Sequence, residues 1–326
     1  MRAKSQDLQS SAGKRRFRRR LLAWFDRHKR DLPWRRDRDP YRVWLSEIML
    51  QQTRVAAVME HYARFLRRFP TVEKLSAARE ASVLAVWSGL GYYRRARMLH
   101  AAAQTIVNDH DGKFPQSAES WRELPGIGRY TAAAIASIAF DEPVAVVDGN
   151  VERVLQRVLG KNLVGEPLWS AAEDLLSRTR ASDFNQAMME LGATVCLPRQ
   201  PKCLLCPVAA MCATRGELNF VAPAARQKKR EIRYALDCQN GSVFLVQRPK
   251  TATLMPGMWE LPEVAVGEGE ALLTLRHSIT VTDYIVRVIA GALPEETPGR
   301  WVPKARIPAL PLTGLARKIL RASQIT

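Results

Sequence analysis

Four of the chain's five cysteines stand close together, in the stretch CLPRQPKCLLCPVAAMC at residues 196–212. They are Cys196, Cys203, Cys206 and Cys212, with the spacing C-x6-C-x2-C-x5-C. Clustered cysteines in a reduced chain are more often metal ligands than disulfides. Four thiolates suit a zinc ion or an iron–sulfur cluster, and the local pattern leaves both open, beside buried thiols that bind nothing. The fifth, Cys238, lies apart and is expected in the core.

Two carboxylates stand where they could transfer a proton or stabilise positive charge. Glu47 lies in the apolar stretch SEIMLQQT at 46–53, where desolvation would raise its pKa and keep it a proton donor near neutral pH. Asp148 lies in VDGNVERVL at 147–155, directly before a predicted helix. The alternatives are a solvent-exposed position for Glu47 and a simple helix cap for Asp148.

The stretch LPGIGRYTAAAIASIAF at 124–140 has the pattern of a helix–hairpin–helix. Gly126 and Gly128 flank one apolar residue, and a helix begins at once. Glycine lets the backbone approach a phosphate, and the free N–H groups at the start of the next helix can bind it. Such contacts position a duplex without reading its sequence. A plain tight turn between two helices is the alternative.

The charge balance favours a polyanionic partner. The chain of 326 residues has 50 Lys and Arg against 32 Asp and Glu, a net charge of +18. A field of this sign attracts nucleic acid first and an acidic membrane surface second. No apolar run approaches the ~20 residues of a membrane span, and the basic N-terminus lacks the apolar core of a signal peptide. We therefore expect a cytoplasmic protein without a membrane partner.

The elements that position these residues are mostly helices. After a disordered tail at 1–12, helices are predicted at 14–30, 43–69, 71–87, 94–109, 129–140, 150–159, 167–180 and 184–193. A linker is predicted at 221–230, and the β-rich segments 242–248 and 283–290 follow it. A mainly α domain at 13–220 should therefore precede a smaller sheet-containing domain at 231–326.

Taken together, LPGIG, VDGNVERVL and the cysteine spacing resemble the endonuclease III superfamily of helix–hairpin–helix DNA glycosylases. The resemblance implies that the four cysteines hold a [4Fe–4S] cluster. It also implies that the cluster loop presents Arg199 and Lys202 to DNA. The implied fold is a mainly α glycosylase domain with an iron–sulfur cluster loop, plus a smaller α+β domain.

Within the superfamily the chain resembles the MutY family of adenine glycosylases. SEIMLQQT matches the signature helix whose glutamate, here Glu47, is the catalytic acid. Tyr130 stands where bifunctional members carry a lyase lysine, so no Schiff base is expected there. The stretch TLMPGMWELP at 253–262 resembles the family's Nudix-like C-terminal domain, although the Glu-rich hydrolase motif is missing.

The resemblance implies that a monomer removes adenine opposite 8-oxoguanine or guanine from double-stranded DNA, in the bacterial cytoplasm at the nucleoid. Glu47 would protonate N7 of adenine, Asp148 would stabilise the oxocarbenium-like sugar, and Tyr130 would hold Asp148 and the sugar. The rivals are a thymine or uracil mismatch glycosylase of the same superfamily and a non-catalytic iron–sulfur DNA-binding protein.

Further positions follow from the same resemblance. The adenine pocket would contain Arg30, Trp34, Arg35 and Leu50. The residues expected to contact DNA or the lesion are Gln52, Thr53, Leu90, Tyr92, Gly126, Gly128 and Thr280. The chain departs from the family at 279–281, where Ile-Thr-Val replaces the usual Phe-Ser-His. Thr280 could supply the hydroxyl, but the histidine is missing.

Overall fold

The structure is a computed structural model that describes residue 8 and residues 10–215, 228–265, 270–279, 282–291, 293 and 297–325. Thr280 lies outside the described residues, as do residues 221–227 of the predicted linker. The first helix begins at Ser11, so the last two residues of the predicted disordered tail are helical. Lys228 to Arg230, at the end of the predicted linker, already belong to a strand.

The helices are, in chain order, α1 Ser11–His28, α2 Pro40–Leu50, α3 Val55–Arg68, α4 Val72–Ser76, α5 Glu80–Trp87, α6 Arg94–Asp109, α7 Ala118–Trp121, α8 Arg129–Phe140, α9 Gly149–Leu159, α10 Glu166–Leu175, α11 Ala181–Thr194 and α12 Gly314–Ala322. The strands are β1 Lys228–Leu236, β2 Cys238–Gln239, β3 Ser242–Gln247, β4 Trp259–Glu260, β5 Glu263–Val264, β6 Leu273–Ile279, β7 Thr282–Ala290 and β8 Arg300–Pro303. Among the described residues, no helix has the length and apolar character to span a membrane.

Two of the predicted helices are each divided in two. The segment 43–69 breaks between α2 and α3, where Gln52 adopts a left-handed φ of 55° that no helix tolerates. The segment 71–87 breaks between α4 and α5, because Arg79 takes the extended conformation of a helix N-cap. No glycine or proline marks either break, and this is why the sequence predicted continuous helices.

The chain divides into two compact units, and residues 1–51 with 108–222 form the first. Helix α1 buries Phe17, Leu21 and Phe25 completely, and the rings of Phe17 and Phe184 lie 6.3 Å apart. The indoles of Trp44 and Trp121 lie 5.7 Å apart. Helix α8 packs against α2 and α11, and α9 packs against α11, so these four helices, which carry the site described below, are held together.

Residues 52–107 and 223–326 form the second unit, which contains both α-helices and β-sheets. One sheet has the order β5-β1-β7-β6, with β1 and β7 parallel; in the other, β3 pairs with β2, β4 and β8. Val286 and Val288 alternate with more exposed residues along β7, as expected of a strand with one buried face. Cys238 is exposed, so its predicted place in the core is wrong: it lies in a two-residue strand.

Helices α9 and α11 approach each other closely at a glycine. A Cβ added to Gly192 would lie 2.5 Å from Cβ of Asn150 and 3.0 Å from the carbonyl oxygen of Asn150. Arg153 reinforces this approach, because its guanidinium donates to the Gly192 carbonyl at 2.8 Å. The start of α9, directly after Asp148, therefore depends on a residue without a side chain at position 192.

We predict that Gly192→Ala destabilises the protein by about 1–2 kcal/mol. Overpacking a tight contact costs about 1–3 kcal/mol, and the better helix propensity of alanine returns at most ~1 kcal/mol. Urea unfolding measures the difference. Gly149→Ala is the matched control, because a Cβ there meets nothing within 4 Å. A Gly192→Ala variant as stable as the wild type would contradict the packing described here.

Candidate active site

Glu47 is buried inside the first unit, with only 5% of its surface exposed. It lies on α2 among Trp44, Leu45, Ile48 and Met49, all of which are buried. Burial, assisted by the charge of Asp148, raises the pKa of Glu47 to about 7 against the opposing effects of the Tyr130 hydrogen bond and the charge of Arg35. The side chain can therefore hold a proton near neutral pH, which suits a general acid.

Tyr130 contacts Glu47 directly. Its hydroxyl donates a hydrogen bond to Oε2 of Glu47 at 2.7 Å, and Met189 Sδ lies 3.8 Å from the same hydroxyl. The contact is possible because α2 packs against α8, where Gln51 also donates to Thr131 at 3.0 Å. Burial and the charges of the two carboxylates raise the pKa of Tyr130 well above its usual value, so the phenol stays neutral. The sequence predicted that Tyr130 holds Asp148; the hydrogen bond goes to Glu47 instead.

Asp148 caps helix α9 and also acts on Glu47. Its Oδ1 accepts from the backbone N–H groups of Asn150 at 2.9 Å and Val151 at 2.7 Å, and its Oδ2 accepts from Asn150 Nδ2 at 2.8 Å. These three donors fix the orientation of the carboxylate. The cap and the chemical role are therefore compatible, because the fixed charge of Asp148 is near enough to raise the pKa of Glu47.

A second buried glutamate, Glu190 on α11, joins two residues of the predicted adenine pocket. Arg30 donates to its two carboxylate oxygens at 2.6 and 2.9 Å, and Arg35 donates to one of them at 2.8 Å. Burial alone would raise the pKa of Glu190, but the hydrogen bonds and charges of the two arginines outweigh it and lower the pKa. Trp34, which lies between Arg30 and Arg35 in the sequence, is buried. Leu50, at the end of α2, is half-buried.

Sequence reasoning missed Glu190. The only signal was an acidic residue within the apolar stretch AMMELGA at 187–193. The side chain of Glu190 has no exposed surface, and a buried carboxylate requires charged or hydrogen-bonding partners. Those partners come from residues about 155–160 positions earlier in the chain, so the pairing could not be read from local sequence.

Four of the predicted lesion contacts lie in the second unit, on two neighbouring turns. Gln52 and Tyr92 both have left-handed backbones, with φ of 55° and 49°. Arg95 links the turns: it donates to Thr53 Oγ1 at 3.1 Å and lies 5.3 Å from the Tyr92 ring centroid. Tyr92 is 49% exposed, whereas Leu90 is 7% exposed. In this conformation Tyr92, rather than Leu90, presents its side chain to solvent.

The hairpin exposes its backbone. Gly126 has a left-handed φ of 75° and is exposed, and Ile127 N–H closes the turn on the Leu124 carbonyl at 3.2 Å. Gly128, also exposed, is the N-cap of the 12-residue helix α8 and has no side chain to cover its first N–H groups. This geometry suits an incoming anion.

The four clustered cysteines line a single cavity that is partly open to solvent. Burial and the neighbouring thiols raise the pKa of Cys206 to about 12. Arg157 donates to Cys196 Sγ at 3.4 Å, and Arg215 N–H donates to Cys212 Sγ at 3.4 Å. Within the described ranges, no group of three or more His, Cys, Asp or Glu side chains has the arrangement of a metal site. The four sulfur donors around one cavity, with N–H groups directed at sulfur, nevertheless fit the chemistry of an iron–sulfur cluster.

The two buried glutamates should differ in how their neutral variants respond to pH. Between pH 4.5 and about 7 folded Glu47 keeps a proton that the unfolded chain has released, so its contribution to stability falls by about 1.4 kcal/mol per pH unit. The Glu47→Gln variant does not show this decrease in stability, because glutamine has no carboxyl group to titrate. Its stability relative to the wild type should therefore rise from pH 5 to pH 7 and then level off, as measured by urea unfolding.

Glu190→Gln is the matched comparison. Because the pKa of folded Glu190 is lowered, its contribution is complete above the unfolded pKa and is lost only as the pH falls through the folded value. Removing this charge should destabilise the protein by about 3–5 kcal/mol, with little change between pH 5 and 8. Parallel pH dependences for the two variants would contradict the assigned protonation states.

The chain is similar in sequence to known DNA repair proteins. Residues 45–163 match the family described as HhH-GPD superfamily base excision DNA repair protein. The adenine DNA glycosylase of Rattus norvegicus is 40% identical over 314 residues, covering 77% of this chain and 60% of that protein. The Homo sapiens adenine DNA glycosylase is 39% identical, covering 78% and 59%. The chain thus spans about 60% of the length of these two relatives.

The adenine DNA glycosylase of Schizosaccharomyces pombe is 31% identical over 323 residues, which cover 78% of this chain and 70% of that protein. Among solved structures, a thermostable thymine-DNA glycosylase has a TM-score of 0.59 and 31% identity, covering 63% of this chain and 97% of its own. Endonuclease III trapped on DNA has a TM-score of 0.55 at 22% identity, with the same coverages, and supports the fold alone. The predicted mainly α helix–hairpin–helix fold with an α+β C-terminal region is confirmed, and the chain belongs to the HhH-GPD superfamily of base excision DNA repair proteins.

Proposed function

We propose that the chain is a monofunctional adenine DNA glycosylase that removes adenine mispaired with 8-oxoguanine or guanine from double-stranded DNA. One observation carries the proposal: Glu47 is buried with a pKa of about 7, accepts a hydrogen bond from Tyr130 and lies near the fixed carboxylate of Asp148. Adenine as the target is supported by relatives named adenine DNA glycosylase at about 40% identity. The mispair preference rests on the resemblance of residues 52, 53, 90 and 92 to lesion-contacting positions.

The reaction begins with the adenine flipped out of the duplex, which costs a few kcal/mol and costs less at a mispair. Protonated Glu47 then donates its proton to N7 of the adenine, while the Tyr130 hydroxyl keeps the carboxyl group oriented. The protonated base accepts the electron pair of the bond between C1′ and N9 as that bond breaks. A pKa of about 7 suits this step, because both protonation states are populated at neutral pH.

Loss of the base leaves positive charge on the sugar, and Asp148 is the residue proposed to stabilise it. Its three N–H donors hold the carboxylate in place before the charge forms. Water adds to C1′, and Glu47, now ionised, accepts the proton of that water. Two carboxylates with different protonation states divide the work in the same way during O-glycoside hydrolysis. Tyr130 offers no amine for a Schiff base, so the product is an abasic site with an intact strand.

The adenine pocket is proposed to form around the Glu190 cluster, defined here as Glu190, Arg30 and Arg35. The two guanidinium groups are fixed by the buried carboxylate, and Trp34 supplies an apolar surface. Such an arrangement can read the polar edge of a purine without reorganising, because the side chains are already immobilised. The net charge of +18 and the exposed hairpin glycines Gly126 and Gly128 suit the phosphates of the duplex.

A [4Fe–4S] cluster is the proposed occupant of the cavity lined by Cys196, Cys203, Cys206 and Cys212. Bound there, the cluster would supply a structural tie across the loop and take no part in base release. The C-terminal α+β region is proposed to be Nudix-like in fold and not in activity, because it lacks the Glu-rich motif. Thr280, in the sequence that replaces Phe-Ser-His, is the proposed contact to 8-oxoguanine.

A second candidate function is thymine removal from mismatches, favoured by the 31% identity to a thymine-DNA glycosylase structure. Base release from duplexes that contain adenine opposite 8-oxoguanine, guanine or thymine, and from a duplex with a T:G mispair, decides between the two candidates. We expect single-turnover release of adenine opposite 8-oxoguanine, slower release opposite guanine and almost none opposite thymine. Release of thymine from a T:G mispair, without release of adenine, would favour the second candidate and contradict the first.

Glu47→Gln should slow single-turnover adenine release by at least ~100-fold, because general acid catalysis contributes about 100-fold to 10,000-fold. Asp148→Asn should also slow it by at least ~100-fold, because the loss of one preorganised electrostatic contact costs about 100-fold to 1,000-fold. Both variants should still bind the mispaired duplex, since the hairpin and the basic surface are untouched. Glu119→Gln, an exposed glutamate on α7, is the matched control and should keep the wild-type rate. Near-normal release by either site variant would contradict its assigned role.

Purified protein should contain about four iron and four acid-labile sulfide per chain, as the formula of a [4Fe–4S] cluster requires. Cys206→Ala should lose most of both, because this half-buried thiol lines the cavity. Cys238→Ala, at the exposed cysteine outside the cavity, should keep both. Stoichiometric zinc in place of iron, or full iron content in Cys206→Ala, would contradict the proposed cofactor.

A further inference from the structure

We propose that Ser88, Tyr93 and Arg317 are positioning residues that fix residues 89–92 through one backbone carbonyl of the C-terminal region, that of Leu312. The hydroxyl groups of Ser88 and Tyr93 both donate to this carbonyl oxygen, and the guanidinium of Arg317 donates to the Ser88 hydroxyl. The proposal rests on the proposed function, because the contact between residues 89–92 and the base opposite the adenine is itself part of that function. All of these residues belong to the second unit.

The two ends of the segment meet at the same oxygen atom. Ser88 Oγ donates to the Leu312 carbonyl oxygen at 2.7 Å, and the Tyr93 hydroxyl donates to it at 3.0 Å. Ser88 has no exposed surface and Tyr93 is 5% exposed, so water does not compete for these bonds. A carbonyl oxygen has two lone pairs and can accept both donors. The four residues between Ser88 and Tyr93 are therefore closed into a loop by one atom of a distant part of the chain.

The acceptor itself is held firmly. Trp259 N–H donates to the Pro311 carbonyl at 2.8 Å, and Thr313 N–H donates to the Trp259 carbonyl at 2.9 Å. Leu312 is thus bracketed by strand β4, and its side chain is buried in the C-terminal core. Thr313 then caps α12 by accepting from Ala316 N–H at 3.2 Å. Any movement of the Leu312 carbonyl would have to disturb both the strand and the helix.

Arg317, one turn into α12, completes the arrangement. Its Nε donates to Ser88 Oγ at 3.0 Å, so that hydroxyl accepts one hydrogen bond while it donates another. A hydroxyl with both roles satisfied has a single preferred rotamer. The Cδ methylene of the half-buried Arg317 also lies 3.8 Å from the position that a Cβ on Gly89 would occupy. Arg317 therefore packs against the first residue of the closed loop.

The loop needs such support because its backbone is unfavourable. Gly89, Gly91 and Tyr92 have φ of 107°, 72° and 49°, and the last of these is strained for a residue with a side chain. Strained backbones persist only where the surroundings over-determine them. The exposed Tyr92 ring is thereby presented in a fixed direction. The C-terminal region would then act on lesion reading through this carbonyl, independently of the altered sequence at 279–281.

We call the hydrogen bonds from Ser88 and Tyr93 to the Leu312 carbonyl, together with the bond from Arg317 to Ser88, the clamp. Hydrogen–deuterium exchange of the full chain without DNA tests the clamp directly. Tyr93→Phe keeps the ring and removes one donor, and Arg317→Ala removes the guanidinium; each should speed exchange of the amides at 88–93 about tenfold. The matched controls are Tyr284→Phe and Arg321→Ala, an exposed arginine on the same helix as Arg317. Unchanged exchange at 98–107 and 242–247, which lie in the same unit as the substitutions, shows that this unit remains folded in each variant. Unchanged exchange at 88–93 in both test variants would overturn the clamp.

Single-turnover adenine release then tests the link to lesion reading. In Tyr93→Phe the ratio of the rates opposite 8-oxoguanine and opposite guanine should fall at least threefold, and the rate opposite guanine should change less. Faster exchange with an unchanged ratio would overturn the role in lesion reading. If the wild type releases no adenine from any duplex, the proposed function fails, while the exchange measurement still decides whether the clamp exists.

Discussion

Desolvation of Glu47 is the constraint on which the rest of the site depends. A carboxyl group on the solvent face of α2 would be ionised at neutral pH and could not donate a proton. Packing of α2 against α8 buries Glu47 and brings the Tyr130 hydroxyl to 2.7 Å from it. The cap at the start of α9 supplies the neighbouring negative charge. Three helices must therefore be placed correctly before the acid has its pKa of about 7.

The first unit contains two buried glutamates in opposite states, and their neighbours account for the difference. Glu190 faces two guanidinium groups and is held ionised, with a lowered pKa. Glu47 faces a neutral phenol and a carboxylate, so burial dominates and its pKa rises. A buried carboxylate stays ionised only if groups of opposite charge lie close to it. A buried carboxyl group keeps its proton only if such groups are absent or more distant. The first unit thus contains both an ionised glutamate that fixes two arginines, Glu190, and a glutamate that titrates near neutral pH, Glu47.

Strong local signals predicted much of the fold and the site. Helices at 94–109 and 129–140 have the predicted bounds, and the hairpin glycines, Glu47 and Asp148 follow from short motifs with a physical rationale. The breaks at Gln52 and Arg79 were missed because no glycine or proline in the local sequence marks the left-handed φ of Gln52 or the extended conformation of Arg79. Glu190 and the Glu47 partner of Tyr130 were missed for a related reason: both are contacts between residues more than 80 positions apart. Local patterns indicate which side chains can do chemistry, and long-range packing decides which of them meet.

The most direct test of the central claim is a titration of the Glu47 carboxyl group itself. Protein labelled with ¹³C at the glutamate side-chain carboxyls can be titrated by NMR between about pH 3.5 and 9, a range that covers both the ordinary glutamate pKa and the raised one. The signal that disappears in Glu47→Gln identifies the residue. A midpoint near 7 is the predicted result, as burial and the charge of Asp148 require. A midpoint near 4.5, the ordinary value for glutamate, would mean that Glu47 is ionised at neutral pH and cannot be the acid.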